Sequence, residues 1–193
     1  MDKRRSVRHF SDKLVSKQLI ENIIKTASSA PSGAHKQPWT FCAISSPEIK
    51  KQIREAAEKE EYENYHGRMP DDWLEDLQQF DTDWNKPFIE TVPWVIIVFK
   101  KSYDLDVEGN KTKNYYVNES VGLAAGFLLM AIHNAGLCSL THTPSPMNFL
   151  SKVLNRPSNE KPFLLIPVGY PVENCEVPEL GRKDLNEMAV FYE

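Results

Sequence analysis

Three arginines and a serine lie within five residues near the start of the chain, in the order Arg4-Arg5-Ser6-Val7-Arg8. Guanidinium groups in an extended segment can direct several donors at one phosphate group, and the serine hydroxyl adds another donor. A solvated basic terminus explains the same residues without any ligand. The residues alone therefore leave a phosphate site and an ordinary charged terminus both open.

A second candidate is the turn Ala30-Pro31-Ser32-Gly33-Ala34-His35, which follows a predicted helix. Proline, serine and glycine in succession favour a tight turn whose backbone N–H groups are exposed. Such N–H groups can bind an oxyanion or the edge of a ring. An ordinary loop between a helix and a strand is the alternative interpretation.

The third candidate is Thr141-His142-Thr143, which follows a predicted strand. Ligand sites of α/β proteins usually lie at the carboxyl ends of strands, so these two hydroxyls are candidates for a binding site. A single histidine between two threonines is more often structural than catalytic.

The fourth candidate lies in residues 60–86, which are rich in charge and in aromatic side chains. Glu61, Tyr65 and Lys86 supply one anion, one phenol and one cation, which together could bind the ammonium and carboxylate groups of an amino acid. Unconnected surface charges are the alternative. A charged aromatic segment is unusual as a linker, and we predict that it forms a lid.

The remaining patterns predict the elements that position these residues. A capping Ser16 precedes an apolar stripe that begins at Leu19, and Ser46-Pro47 marks the start of a second helix that runs to about Tyr62. Four apolar runs are predicted strands: Trp39–Ile44, Val92–Lys100, Leu137–Thr141 and Phe163–Gly169. We predict one domain over residues 1–193, with an α/β (α+β) fold in which helices flank a central sheet on both sides.

The segment from Glu119 to Asn134 is apolar on nearly every side, and Gly122 and Gly126 lie one turn apart within it. A helix that is apolar all round is usually buried on most of its faces. The two glycines permit another backbone to approach it closely. One small domain does not readily supply that much cover. We therefore expect an interface between copies of the chain.

Composition excludes several classes of function. The chain has 193 residues and a formal net charge of −4, which disfavours non-specific binding to nucleic acid or anionic membranes. Its three cysteines form no C-x-x-C pair, so we expect neither a disulfide framework nor a bound metal. No Rossmann or P-loop motif is present, and no apolar stretch approaches the roughly 20 residues of a membrane span. We expect a soluble, cytoplasmic protein.

Taken together, the four segments resemble the nitroreductase superfamily of flavin mononucleotide (FMN) enzymes and, within it, the deiodinase branch. The similarity extends from Arg4 to Arg182-Lys183, almost the whole chain. An arginine-serine start indicates only the superfamily. The run from Ala30 to His35, together with Glu61, Tyr65 and Lys86, indicates the branch much more specifically.

The resemblance implies a nitroreductase-like fold, an intertwined homodimer with FMN at its interface, and reductive dehalogenation of 3-iodotyrosine and other halotyrosines. It implies a set of FMN contacts: Arg4, Arg5, Ser6, Val7, Arg8, Pro31, Ser32, Thr141, His142, Thr143 and Arg182. Thr143 is expected to contact the redox-active nitrogen of the flavin ring, with Thr141 as the alternative. Glu61, Tyr65 and Lys86 are expected to bind the substrate zwitterion, and the N–H of Ala34 its phenolate.

Two other functions stay open. A broad-range FMN nitroreductase would keep the flavin contacts without needing Glu61, Tyr65 and Lys86 together. A protein that sequesters flavin or halotyrosine would bind without turnover. No NAD(P)H site is recognisable in the sequence, so the electron donor is not identified.

Overall fold

The structure is a computed structural model that describes residues 1–80 and 82–193; residue 81, inside the predicted lid, lies outside the described residues. The helices are α1 (Lys17–Ser28), α2 (Pro47–Glu63), α3 (Asp71–Gln78), α4 (Phe88–Thr91), α5 (Val117–Asn134), α6 (Asn148–Val153) and α7 (Leu185–Met188). The strands are β1 (Trp39–Ile44), β2 (Trp94–Lys101), β3 (Tyr103–Leu105), β4 (Lys111–Lys113), β5 (Cys138–Ser139) and β6 (Glu160–Gly169).

The central sheet has the strand order β1-β2-β6-β5, and every pair in it is antiparallel. The predicted sheet flanked by helices is confirmed, and the antiparallel pairing places it in the α+β class. The four predicted strands are present, although the predicted Leu137–Thr141 strand contracts to the two residues of β5. Because the strands are antiparallel, the rule that ligands bind at the carboxyl ends of parallel strands does not explain the position of Thr141-His142-Thr143.

Strand β2 is apolar at consecutive positions because each face of the sheet has its own core. Ile96 and Val98 pack into a cluster with α1 and α5. Val95, Ile97 and Phe99 pack on the opposite face, with α2, α4 and α6. Burial on both sides therefore accounts for the missing alternation of polar residues.

Both predicted helix starts are confirmed by their caps. The Ser16 hydroxyl accepts a hydrogen bond from the N–H of Leu19 at 3.3 Å, and the Ser46 hydroxyl accepts one from Ile49 at 3.4 Å. Pro47 occupies the first turn of α2, where a missing N–H costs nothing. These interactions are local, so the sequence pattern is sufficient to predict them.

Helix α5 begins at Val117 and is covered on one side only. Gly122, Leu123, Gly126 and Met130 are exposed, with Leu123 and Met130 48% and 42% accessible. A Cβ atom built at either glycine meets nothing within 4 Å. The chain by itself thus leaves an apolar stripe of α5 open. Among the described residues, no helix combines the length and the hydropathy that crossing a bilayer requires.

Candidate functional site

The N-terminal segment lies beside strand β5. The N–H of Val7 donates to the carbonyl of Ser139 at 3.1 Å, and the Val7 side chain is buried in the core. Ser6 and Arg8, on either side of Val7, are half-buried. The sheet therefore fixes the register of the arginine segment.

The arginines meet residues from the other end of the chain around a cavity of about 240 Å³. Arg182 donates from Nη2 to the carbonyl of Arg4 at 3.2 Å. The cavity is lined by the basic residues and the serine predicted for a phosphate: Arg4, Arg5, Ser6, Arg8 and Arg182. No described carboxylate lines it, so its donors suit a phosphate group.

Phe80, within the predicted lid, forms part of the same cavity and was not predicted. The guanidinium of Arg8 lies over its ring, with Cζ 5.2 Å from the centroid. Burial lowers the pKa of Arg8 from its usual value, although the side chain stays charged at neutral pH. The sequence offered one signal for this contact, because Phe80 belongs to the aromatic, charged segment 60–86.

Thr141 and Thr143 are both exposed, and His142 lies between them on the opposite face. His142 pairs with Leu165 through two backbone hydrogen bonds, of 2.9 and 3.0 Å. Successive side chains of an extended segment alternate, so the two threonines share one face. Their placement does not distinguish which hydroxyl contacts a flavin.

The imidazole of His142 packs edge-on against Phe88, with 6.0 Å between the ring centroids. Its Nε2 is buried and has no hydrogen-bond partner among the described residues. Burial, together with the positive charges of Lys86 and Arg8, lowers the pKa of His142 to about 3, so the ring is neutral. The imidazole of His142 therefore packs against the protein, and the predicted FMN contact of this residue stays a prediction.

The turn at residues 31–37 is held against the start of α5. The N–H of Gly33 donates to the buried hydroxyl of Ser120 at 3.2 Å, and the hydroxyl of Ser32 accepts from Gln37 at 2.9 Å. A Cβ on Gly33 would lie 2.8 Å from the Tyr116 ring, so glycine is required there. Ser120 was not predicted, because nothing in its local sequence indicates a contact 87 residues away.

Ala34 has φ of 49°, a left-handed conformation that is uncommon outside glycine. The residue is exposed, and its N–H donates no hydrogen bond within the part of the chain that the structure describes. The cavity between Arg4 and Arg182 is lined by none of residues 31–37. The structure therefore does not bring Pro31, Ser32 and Ala34 to the arginines of the same chain.

The structure does bring together the three residues predicted to bind a zwitterion. Lys86 and Glu61 form an ion pair at 3.6 Å, and both are buried, with 3% and 6% of their surfaces exposed. Lys86 also lies 5.5 Å from the centre of the Tyr65 ring. Burial raises the pKa of Glu61 and lowers that of Lys86, while their mutual attraction opposes both shifts.

Further contacts close this cluster from the lid. The Tyr65 hydroxyl donates to the carbonyl of Thr82 at 3.3 Å, and Lys86 donates to the Thr82 hydroxyl at 3.3 Å and to the Asp83 carbonyl. Helix α3, in the middle of the lid, has no buried residue. Few apolar contacts therefore oppose movement of residues 71–78.

Comparison with known proteins supports a specific family. The nitroreductase family model matches residues 1–170. Iodotyrosine deiodinase of the bacterium Haliscomenobacter hydrossis is 63% identical over all of this chain and 86% of its own length. Iodotyrosine deiodinase 1 of the mouse, Mus musculus, is 44% identical over 98% of this chain and 67% of its own length.

A solved structure is similar over the whole domain. The crystal structure of oxidized iodotyrosine deiodinase bound to FMN and 3-iodo-L-tyrosine superposes with a TM-score of 0.83 at 30% identity. The match covers all of this chain and 96% of that one.

Proposed function

Because this chain belongs to the nitroreductase family, we propose that it is an FMN-dependent oxidoreductase that converts 3-iodotyrosine to tyrosine and iodide. The identity of 63% to a curated deiodinase over the full chain carries the proposal. Grouping of Glu61, Tyr65 and Lys86 under the lid supports it independently, because a broad-range nitroreductase has no need of a zwitterion site.

The residues present fit FMN. Arg4, Arg5, Arg8 and Arg182 surround a cavity without a described carboxylate, which suits the cofactor's phosphate. Ser6 adds a hydroxyl in the same cavity, and Val7 fixes the segment to the sheet through its N–H. Thr141 and Thr143 are exposed in the extended segment that follows β5, so their hydroxyls are accessible to a ligand.

The protein's own residues bind and orient the substrate. Glu61 accepts a hydrogen bond from the ammonium group of the substrate, and Lys86 donates one to the substrate carboxylate. Tyr65 contributes a further hydrogen bond. An ortho halogen makes a phenol more acidic than the reference value of about 10 for tyrosine. The N–H of Ala34, directed at the phenol oxygen, favours the phenolate further, because hydrogen bonds to a charged form lower the pKa.

When bound, reduced FMN would supply the two electrons that, together with one proton, convert the carbon–iodine bond to a carbon–hydrogen bond and release iodide. A closed lid would exclude water from the substrate site, which would strengthen the ion contacts of Glu61 and Lys86. The protein therefore contributes orientation and electrostatics. A cytoplasmic location stays a prediction.

The test of this function uses the purified protein with added FMN. We expect a yellow protein that retains one FMN per chain and releases iodide from 3-iodotyrosine when dithionite supplies electrons. Release of iodide separates the enzyme from a protein that only sequesters flavin or halotyrosine. A colourless protein that does not take up FMN would contradict the proposal.

The hydroxyl of Thr143 is expected to be needed for deiodination but not for binding. Replacing Thr143 by alanine should lower iodide release while FMN and iodotyrosine affinities, measured by flavin fluorescence, stay within about twofold because no charged contact is lost. Reduction of a nitroaromatic substrate, which tolerates hydride transfer, should be retained or raised. Thr141→Ala is the matched control on the same face, and a loss of iodide release only in that variant would show that Thr141 holds the role.

We also infer that two copies form the working enzyme. Residues 31–37 lie beside α5 and away from the arginines of their own chain, so a second copy docked on α5 would let this turn complete the partner's flavin site. The open stripe of α5, with Gly122 and Gly126, suits close packing of a second helix. Exposed apolar residues at the C-terminus favour an intertwined arrangement: Leu185, Met188, Val190, Phe191 and Tyr192.

Replacing Gly126 by glutamate is expected to weaken the dimer at least about 100-fold, because a carboxylate would be buried without a partner. The variant should fold, since the position opens to solvent in one chain. Analytical sedimentation measures the association of the two copies. FMN retention should fall as the dimer dissociates. Val107→Glu, at a fully exposed apolar position, is the control and should remain dimeric. A dimer unchanged by Gly126→Glu would place the interface elsewhere.

A further inference from the structure

The hydroxyl of Ser120 is buried near the start of α5, and none of the substrate or flavin contacts proposed above uses it. Only 2% of the residue is exposed. The hydroxyl accepts a hydrogen bond from the N–H of Gly33 at 3.2 Å, across 87 positions of the chain. Helix α5 does not depend on this contact, because the N–H of Ser120 already donates to the carbonyl of Tyr116 at 2.9 Å. The hydroxyl therefore acts on the turn at residues 31–37.

This hydrogen bond lies where the turn packs closely on α5. A Cβ atom on Gly33 would lie 2.9 Å from the carbonyl oxygen of Tyr115 and 2.8 Å from the ring of Tyr116. Tyr116 has a φ of 47°, so the backbone on the helix side of the contact is also held in an uncommon conformation. Gly33 is thus held by close packing as well as by the hydrogen bond to Ser120.

Two hydrogen bonds fix the peptide group between Gly33 and Ala34. Its carbonyl, which belongs to Gly33, accepts a hydrogen bond from the N–H of Lys36 at 3.0 Å. Ser120 holds the N–H on the other side of the Gly33 Cα atom. Because a trans peptide group is planar, the N–H of Ala34 points in the direction opposite to the Gly33 carbonyl. The contacts of Gly33 with Lys36 and Ser120 therefore set the direction of the Ala34 N–H.

We infer that Ser120 is a positioning residue for the phenol end of the substrate: its hydroxyl holds Gly33 so that the N–H of Ala34 points at the phenolate oxygen. Glycine adopts more backbone conformations than other residues, so the peptide plane after Gly33 can rotate unless the Gly33 N–H is held. The inference rests on the proposed function, which assigns the Ala34 N–H to the phenolate of a halotyrosine. Ser120 touches neither substrate nor cofactor and acts through Gly33.

The test measures binding of 3-iodotyrosine and 3-iodophenylalanine to the FMN-loaded wild type and Ser120→Ala by flavin fluorescence quenching. The Kd of 3-iodotyrosine should rise about tenfold in the variant, because the Gly33 N–H loses its partner and the Ala34 N–H its fixed direction. 3-Iodophenylalanine keeps the zwitterion and the iodine but has no phenol oxygen, so its Kd should change less than about twofold. FMN retention should also be unchanged, since the Ser32 hydroxyl keeps its hydrogen bond from Gln37.

The ionisation of the bound phenol separates orientation of the N–H from a general loosening of the turn. A hydrogen bond to the phenolate lowers the pKa of the phenol, so the pKa of bound 3-iodotyrosine should rise by about one unit in Ser120→Ala. Ultraviolet difference absorbance of the phenolate, followed as the pH is varied, measures this pKa on the bound complex. The ionisable side chains of the turn and of the start of α5 are the same in both proteins: His35, Lys36, Tyr115, Tyr116 and Glu119.

Ser120→Thr keeps the hydroxyl and should match the wild type. Ser28→Ala, which removes an exposed hydroxyl bonded to the Lys25 carbonyl within α1, should match it too. Equal losses for the two ligands, an unchanged pKa of the bound phenol, or a Ser120→Thr variant as weak as Ser120→Ala would overturn the inference. Loss of FMN in Ser120→Ala would also overturn it, because the hydroxyl would then hold the whole turn. Failure of the wild type to release iodide is a separate result that would contradict the proposed function instead.

Discussion

Replacement of Lys86 by glutamine is expected to weaken binding of 3-iodotyrosine about 10- to 100-fold, since a charge-assisted contact contributes roughly 1.5–3 kcal/mol. Glu61→Gln should have a similar effect. Both side chains are buried and paired with each other at 3.6 Å, so each variant also leaves its partner without an opposite charge. In the wild type, the substrate's zwitterion must break this ion pair before it binds. The expected loss of iodotyrosine affinity in each variant is therefore that of about one contact.

The measurement is flavin fluorescence quenching by 3-iodotyrosine and by 2-iodophenol in each variant. The phenol lacks both charged groups, so it should bind weakly to the wild type and lose little more in either variant. Lys59→Gln and Glu63→Gln alter exposed charges near the same end of α2 and should match the wild type. Equal losses for the two ligands would mean that Glu61 and Lys86 only stabilise the lid.

Replacement of Arg8 by alanine is expected to reduce FMN affinity by about 1.5–3 kcal/mol, or roughly 10- to 150-fold. Arg182→Ala should do the same, because both side chains line the cavity proposed for the phosphate. Arg8 also loses its position over Phe80, so its effect should be the larger of the two.

Equilibrium dialysis of FMN against each apoprotein measures this effect. Arg68→Ala is the matched control, because Arg68 is exposed in the lid and pairs with Glu60 at 2.7 Å, away from the cavity. Its FMN affinity should equal that of the wild type. Unchanged affinity in both Arg8→Ala and Arg182→Ala would show that the anion site lies elsewhere.

Local interactions account for the parts of the fold that the sequence predicted well. The caps Ser16 and Ser46 bind N–H groups three residues away, and β1 has the predicted bounds Trp39–Ile44. Helices α4 and α7, with four residues each, and the β3–β4 hairpin were not predicted. Elements this short have little periodicity and depend on packing against the rest of the chain.

The residue types of the site were likewise determined by the sequence, since arginines, hydroxyls and the Glu61, Tyr65 and Lys86 set are visible without coordinates. Their arrangement was decided by the tertiary structure. Arg182 reaches Arg4 across 178 positions, and Asn64 reaches Ser145 across 81. Such contacts depend on how the antiparallel strands and their connections bring distant segments together, which no local pattern encodes.

His142 shows the same difference between what the sequence specifies and what the tertiary structure specifies. The family resemblance implied a flavin contact for His142, which stays a prediction; its pairing with Leu165 packs the imidazole against Phe88 and leaves Thr141 and Thr143 exposed. The amino-acid sequence is enough to identify the chemical groups that this protein carries and the residues at which its main helices begin. Which of those groups face one another depends on the tertiary fold, because side-chain direction in an extended segment follows from the register of its partner strand.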